Sequence, residues 1–323
     1  MKCRRIVLRK FVAFYLAFKD IHPSWSLIGC ALTYGIIATF GVIFNSSVIA
    51  VTFQTKSLRG TVNYLLALCS FFEMLHQFGH FLFVYTAFSG QNFIEYRLAT
   101  KFLMIPMFGL GGIYPVMLFI GIDRMIGIVF DEMHSKRKIR LYLATITFIC
   151  SAFSFGPCLS FYQSIELNGD QMVIGTFADF FTTPPEYRFM RLLIIIITIL
   201  IYLFVGLIIR IKSAGLPSAD QINYRTLRAI FCIIIINVGG YCTNSIFFNF
   251  IEPSIASPIT AWFGLKISGM LLNIGAASNA PILYFTSTEY RQAFQTVFPF
   301  LFKRISNVTQ VIPLQNGPQL GNT

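Results

Sequence analysis

Charged residues are scarce in this 323-residue chain. Asp, Glu, Lys and Arg together account for 12% of the sequence, which is about half the fraction that a soluble globular protein carries. Hydrophobic residues make up 55%, 36 residues are phenylalanine, and the mean hydropathy is +0.68. This composition argues against a soluble domain and indicates a protein that lies mostly within a lipid bilayer.

Long polar segments are also missing. A helix needs about 20 apolar residues to cross a bilayer, and the chain contains seven apolar blocks of this kind, separated by short loops. The blocks are residues 27–53, 61–88, 102–129, 140–163, 189–211, 228–251 and 260–285. We therefore predict an all-α integral membrane protein, a bundle of seven transmembrane helices in one domain.

The sequence lacks the spacings that several kinds of active site require. Its seven cysteines form no CxxC pair, and all but Cys3 lie in or at the end of apolar blocks, where cysteine acts as a small hydrophobe. No phosphate-binding loop, no paired catalytic carboxylates and no Ser-His-Asp set at a plausible depth are found. We expect neither an enzyme nor a bound cofactor or metal.

The net charge is +12, and the basic residues are concentrated in particular loops rather than along one face of the protein. This distribution indicates membrane topology and is not typical of nucleic-acid binding. Basic residues fill the odd-numbered loops and the C-terminal segment, whereas the even-numbered loops are neutral or acidic. The basic residues are Lys56, Arg59, Lys136, Arg137, Lys138, Arg140, Arg210, Lys212, Arg225, Arg228, Arg291, Lys303 and Arg304. The pattern predicts an N-terminus outside and a C-terminus in the cytoplasm.

Three parts are expected along the chain. Residues 1–26 are predicted to be an extracellular tail, residues 27–298 the seven-span domain, and residues 299–323 a cytoplasmic tail whose polar composition indicates disorder. The first tail is itself basic, which favours the opposite orientation, but three odd-numbered loops outweigh it. A short apolar run, Phe11–Phe18, leaves a second interpretation of this tail open, a signal sequence.

Two motifs end the third and seventh blocks. Asp123-Arg124 closes the third, where charges persist mostly if they function or reach the interface. In the seventh, Pro281 predicts a kink, Asn279 can satisfy the freed backbone groups, and Tyr284 lies almost one turn further on. The next residues predict a short interfacial helix after span seven, capped by Ser287, with Tyr290 and Phe294 paired at i and i+4.

These motifs together resemble the nematode serpentine chemosensory receptors of the SRSX class, which are close to rhodopsin-like G-protein-coupled receptors. The resemblance rests on Gly-Ile-Asp-Arg, Asn-x-Pro-x-x-Tyr and Ser-x-Glu-Tyr-Arg-x-Ala-Phe, and it extends over most of the chain through Gly41, Asn45, Asn63, Leu66, Ala67 and Glu73. It implies a chemoreceptor of the plasma membrane, with the sensory cilium as a candidate site. Such a receptor binds an external small molecule or peptide and activates a heterotrimeric G protein.

The resemblance also implies roles for particular residues. Asp123, Arg124, Asn279, Pro281 and Tyr284 would form the switch that couples to the G protein.

Several positions depart from the receptor pattern. Ala99 stands where the outer cysteine of span three is usual, so the usual disulfide cannot form and the outer loops are expected to be less restrained. Pro106 replaces the aspartate of amine receptors, and Ile274 replaces the retinal-binding lysine of opsins. Residues 223–228 offer no acid to Arg124, so we expect a weak resting-state lock and measurable agonist-free activity.

Polar residues of the second block share one helix face. Glu73, His76 and His80 are spaced three and four apart, and Glu73 is taken as essentially the only charge deep in a block. With Asn45, Glu73 is predicted to form an internal polar site for sodium or a proton, as the resemblance implies. A zinc set is the weaker interpretation. His76 and His80 either line a ligand pocket or bond to neighbouring helices.

A ligand pocket is predicted from residues that recur at helical spacing near the outer ends of the spans. Besides the two histidines, the candidates are Met107, Leu110, Tyr114, Tyr241, Asn244 and Met270. Each is equally compatible with plain packing. Lys266 is expected to reach out to the interface, with an anchor for an anionic ligand as the alternative. A transporter or channel, or a non-signalling seven-span protein, remains the alternative to a receptor.

Overall fold

The computed structural model describes residues 13–129, 136–180, 185–213 and 221–301. Seven long helices pack into one bundle, and the all-α prediction is confirmed. The spans are Trp25–Gln54 (span one), Thr61–Phe78 continued by His80–Phe88 (span two), Tyr96–Val129 (span three), Lys136–Asn168 (span four), Pro185–Ser213 (span five), Gln221–Ile246 (span six) and Pro258–Ala277 continued by Asn279–Thr286 (span seven). The end where span one begins is called the amino end below, and the opposite end, which carries Asp123, the motif end.

The helices have the length and composition that a bilayer requires. Among the described residues, six are long and apolar enough to cross it by themselves, and the seventh helix, Gln221–Ile246, overlaps the sixth predicted block. Apolar side chains remain exposed on the outside of the bundle, including Phe40, Phe148, Leu159 and Leu203. An apolar outer surface of this extent suits contact with lipid tails.

Spans two and three form the centre of the bundle. Gly109 lets their backbones approach closely, because a Cβ there would lie 2.6 Å from the carbonyl oxygen of Phe72 and 2.7 Å from the backbone nitrogen of His76. Span two breaks at Gly79, where a Cβ would overlap the ring of Phe177 and come within 2.8 Å of Pro106. Glycines therefore set the distance between spans two and three, which both contribute residues to the candidate site described below.

A two-stranded β-ladder closes part of the amino end, between the segment before span three and the segment after span four. Strand β1 (Ile94–Glu95) pairs antiparallel with strand β2 (Met172–Val173). The segment that follows β2 packs on the helices. The Thr86 hydroxyl donates to the carbonyl of Ile174 at 2.6 Å, and the side chains of Ile174 and Phe177 are buried. The expectation of less restrained outer loops is wrong for this loop, since backbone pairing and apolar anchors hold it without a disulfide.

The chain before span one also packs on the amino end. Residues 13–18 are helical, and the rings of Phe14 and Trp262 lie 4.7 Å apart. The side-chain amide of Asn92 donates to the carbonyls of Phe18 (3.1 Å) and Ile21 (2.8 Å). Part of the segment predicted as a tail is thus a structured cover over the helices.

The predicted short helix after span seven is found at Thr288–Val297. The Ser287 side chain caps it by accepting from the backbone N–H of Tyr290 at 3.4 Å, and the rings of Tyr290 and Phe294 are 6.4 Å apart. Burial raises the pKa of the Tyr290 hydroxyl. The hydroxyl therefore stays protonated and donates to Oδ1 of Asn63 at 3.3 Å, which joins this helix to span two.

Candidate functional site

The Asp-Arg pair lies at the motif end, against the start of span two. The Thr61 hydroxyl donates to Oδ2 of Asp123 at 3.1 Å, and Nη2 of Arg124 donates to the same oxygen at 3.3 Å. Asp123 is 7% exposed, whereas the Arg124 side chain is 24% exposed. The aspartate is fixed by two elements, and the guanidinium remains within reach of a partner outside the bundle.

Three carboxamides connect spans one, six and seven next to the kink. The Asn279 amide donates to Oδ1 of Asn45 at 3.0 Å and accepts from Nδ2 of Asn237 at 2.7 Å. The Asn45 amide in turn donates to the carbonyls of Gly41 (2.9 Å) and Ala276 (3.0 Å). Asn45, Asn237 and Asn279, all buried, are called the amide network below.

The amide network changes the predicted role of Asn279. Its described bonds go to side chains of two other spans rather than to backbone groups freed by Pro281. The carbonyls before the kink are bound instead by Asn45, at Ala276, and by the Ser278 hydroxyl, which donates to Gly275 at 2.6 Å. Asn237 was missed, although an amide in an otherwise apolar stretch of the sixth block was a usable signal.

Tyr284 turns toward the short helix that follows. Its ring lies 6.2 Å from that of Phe294, and the guanidinium of Arg291 stands 5.9 Å above it. Arg291 also donates to the carbonyls of Tyr284 (3.1 Å) and Phe285 (2.9 Å). The second predicted motif thus joins the kink of span seven to the helix Thr288–Val297, whereas Asp123 and Arg124 make their described bonds on spans two and three.

Glu73 belongs to a different cluster from Asn45. The carboxylate is fully buried and accepts from the Tyr241 hydroxyl, which lies 3.0 Å from both oxygens. Nδ1 of His76 is 3.6 Å from Oε2 of Glu73, too long for a hydrogen bond. The described contacts therefore do not join Glu73 to the amide network. No set of three metal-ligating side chains is found in the part of the chain that the structure describes.

A cavity of about 60 Å³ lies above Glu73, toward the amino end. Five of the eight predicted ligand residues line it, namely His76, His80, Leu110, Tyr114 and Asn244. His80 does both things proposed for it, because its Nε2 is also 2.8 Å from Oδ1 of Asn273. Phe177, in the segment after β2, packs against both histidines, with ring distances of 4.9 Å and 5.2 Å.

The other three predicted ligand residues do not line this cavity. Tyr241 lies beneath it and faces a smaller neighbouring space that it shares with Tyr114. Met107 is buried in the central core, and Met270 packs against the aromatic cluster of the amino end. Helical spacing placed them on the inner side of the bundle, but it could not give their depth.

Two cations also line the cavity, Lys266, for which a ligand anchor was the alternative interpretation, and Arg191, which was not predicted. Lys266 of span seven and Arg191 of span five are 5% and 6% exposed. The expectation that Lys266 reaches out to the interface is wrong, since its ammonium lies 5.0 Å from the ring centre of Trp262, 5.7 Å from that of Phe83 and 5.8 Å from that of Tyr34. Glu73 is consequently not the only deep charge.

The seven-span bundle carries an Asp-Arg pair and a kinked Asn-x-Pro-x-x-Tyr motif toward one end and a covered cavity toward the other. These features together define a seven-transmembrane receptor. The family model described as the serpentine type 7TM GPCR chemoreceptor Srsx matches residues 38–298. The chain therefore belongs to the Srsx family of chemoreceptors and is a multi-pass membrane protein. No curated protein matches it.

Proposed function

We propose that the protein is a chemosensory receptor that binds an external ligand in the cavity and activates a heterotrimeric G protein at the motif end. The sorted basic loops support an outside N-terminus and a cytoplasmic motif end, in the plasma membrane. Its residues act by binding and conformational change rather than by catalysis. The observation that carries the proposal is the geometry of Arg124.

Arg124 is held in a way that allows a change of partner. Its described hydrogen bond goes to Asp123 at 3.3 Å, a long bond to the neighbouring residue on the same helix. Because this bond joins adjacent residues of one helix, the guanidinium can turn to an acceptor on another protein without breaking a contact between helices. Asp123 keeps its bond from Thr61 after such an exchange and remains buried with a donor.

The amide network supports a conformational connection between the spans. It joins span seven to spans one and six at the kink, because two of its bonds link side chains of different spans and a third links Asn45 to the carbonyl of Ala276 on span seven. A displacement of span six or seven must therefore break or re-form buried hydrogen bonds, which favours two discrete arrangements over a continuous deformation.

The test is nucleotide exchange on a panel of G proteins, in membranes that carry either the wild-type chain or Arg124→Ala at matched surface levels. We expect the wild type to stimulate exchange without agonist and the variant to lose this stimulation. Arg59→Ala is the matched control, because Arg59 is an exposed arginine at the same end.

The outcomes separate the candidate functions. Equal exchange from the wild type and Arg124→Ala would contradict the switch role of Arg124. A wild-type signal equal to that of empty membranes would contradict agonist-free activity and favour a non-signalling seven-span protein. A transporter, the remaining alternative, would show a substrate flux that Arg124→Ala leaves intact.

A further inference from the structure

Two buried cations line the cavity, and one of them, Lys266, has no close counter-ion among the described residues. Lys266 and Arg191 both line it, and both are buried. No acidic oxygen of the described residues lies within 4.0 Å of the Lys266 ammonium, the distance of an ion pair. The rings of Tyr34, Phe83 and Trp262 stand around it instead. Aromatic faces attract a cation but leave its charge uncancelled.

The acidic groups nearby lie beyond ion-pair distance from Lys266. Asp179, buried in the loop after β2, interacts with Lys266 at longer range, and its Oδ2 accepts from the backbone N–H of Thr176 at 2.7 Å. Burial raises the pKa of the Asp179 carboxyl, which Lys266 and the Thr176 N–H oppose. Glu73, below the cavity, accepts from Tyr241. Neither carboxylate makes a close ion pair with Lys266.

A buried ammonium without a close counter-ion is unfavourable, and an anion placed in the cavity would supply the missing partner. We propose that the cavity binds a small carboxylic acid as its carboxylate, with Lys266 as the anchor and Arg191 as a second positive group. The proposal rests on the receptor function above and names the chemical class of its ligand.

The cavity also limits the size of this acid. One water needs about 10–15 Å³ of such space, so the 60 Å³ found here has room for about four to six non-hydrogen atoms. The apolar part of the acid would lie against Leu110, Leu265 and Leu272, which line the same space. Short-chain acids such as propionate and butyrate satisfy both limits.

Binding can be measured without a G protein, as a shift in the unfolding temperature of the purified full chain in detergent. The probes are propionate and butyrate, each compared with its primary amide of equal size, propionamide and butyramide. We expect the acids to raise the unfolding temperature in a saturable way and the amides to have little effect, because only the acids carry a negative charge that can pair with the Lys266 ammonium.

Variants assign the effect to the cations. Lys266→Gln and Arg191→Gln should each weaken the apparent affinity for butyrate by about tenfold or more, the range expected for a hydrogen bond to a charged group. Lys266→Arg keeps the charge and should retain the preference for acid over amide. Lys101→Gln is the matched control, since Lys101 is an exposed lysine on span three at the same end.

The results distinguish this proposal from the proposed function. Amides that bind as well as acids, acids that do not bind, or a Lys266→Gln variant that binds butyrate like the wild type would each overturn it. Acid binding that depends on Lys266 would stand even if no G protein responded. Loss of G-protein exchange alone would contradict only the proposed coupling.

Discussion

The two ends of the bundle bury polar groups in different ways. At the motif end, neutral carboxamides of spans one, six and seven bond to one another, and the buried charge of Asp123 is met by Thr61 and Arg124. At the amino end, the Lys266 ammonium lies among three aromatic rings, and no acidic oxygen of the described residues is within ion-pair distance of it. Mutual bonds fix one arrangement of helices, whereas an unmatched charge attracts something from outside. This difference supports our proposals that the motif end controls conformation and that the amino end selects the ligand.

The largest loss of stability is expected at Glu73, whose buried carboxyl depends on one hydroxyl donor. Tyr241→Phe removes the hydroxyl that lies 3.0 Å from both carboxylate oxygens, leaving a buried acid without this donor. We expect a loss of about 1–3 kcal/mol in the free energy of unfolding. The measurement is thermal or denaturant unfolding of the purified chain.

A double-mutant cycle controls for lost packing. In a Glu73→Gln background the neutral amide demands less from its donor, so Tyr241→Phe should cost measurably less than in the wild type. Equal costs in the two backgrounds would show that the Tyr241 hydroxyl does not stabilise the carboxylate.

The amide network provides the corresponding test at the motif end. Asn279→Ala removes both of its bonds and should cost about 1–2 kcal/mol, since each hydrogen bond contributes about 1 kcal/mol net. Asn249→Ala is the control. Asn249 lies in Phe247–Ile251, the helical continuation of span six, and its amide donates locally to the carbonyl of Ser245. If the two variants unfold alike, the network adds no more stability than a local bond.

A smaller effect is expected at the junction with the short helix. Ser287→Ala removes the side chain that accepts from the N–H of Tyr290, and the loss of such a cap costs about 1 kcal/mol. Hydrogen exchange of the amides in Thr288–Val297 should quicken, whereas amides of span three should keep their protection. Unchanged exchange in the short helix would contradict the capping role.

Much of the fold could be predicted because it depends on local chemistry. Apolar blocks gave the spans, and Ser287 gave the start of the last helix, since length and capping are properties of neighbouring residues. Pro281 similarly predicted the break in span seven, which is found between Ala277 and Asn279. The family resemblance was also readable, because Asp123-Arg124 and the motif around Pro281 are short and ordered along the chain.

The cavity was less predictable because it depends on which helix faces meet. Lys266 was expected to point outward from its depth alone, but the ring of Trp262 on the same helix and two rings from other spans enclose it. Arg191 was counted inside an apolar block without being recognised as buried. The ladder of Ile94–Glu95 and Met172–Val173 restrains the outer loop through backbone bonds instead of a disulfide, and such bonds leave no residue signature.

Communication between the two ends is tested most directly by measuring the affinity of the chain for butyrate with and without a G protein. Coupling between two binding sites is reciprocal, so a bound, nucleotide-free G protein should raise the affinity of the wild-type chain for butyrate by roughly 5–150-fold. In Arg124→Ala, which retains the cavity, the G protein should leave this affinity unchanged. Butyrate binding to the wild type that is identical with and without the G protein would contradict the account.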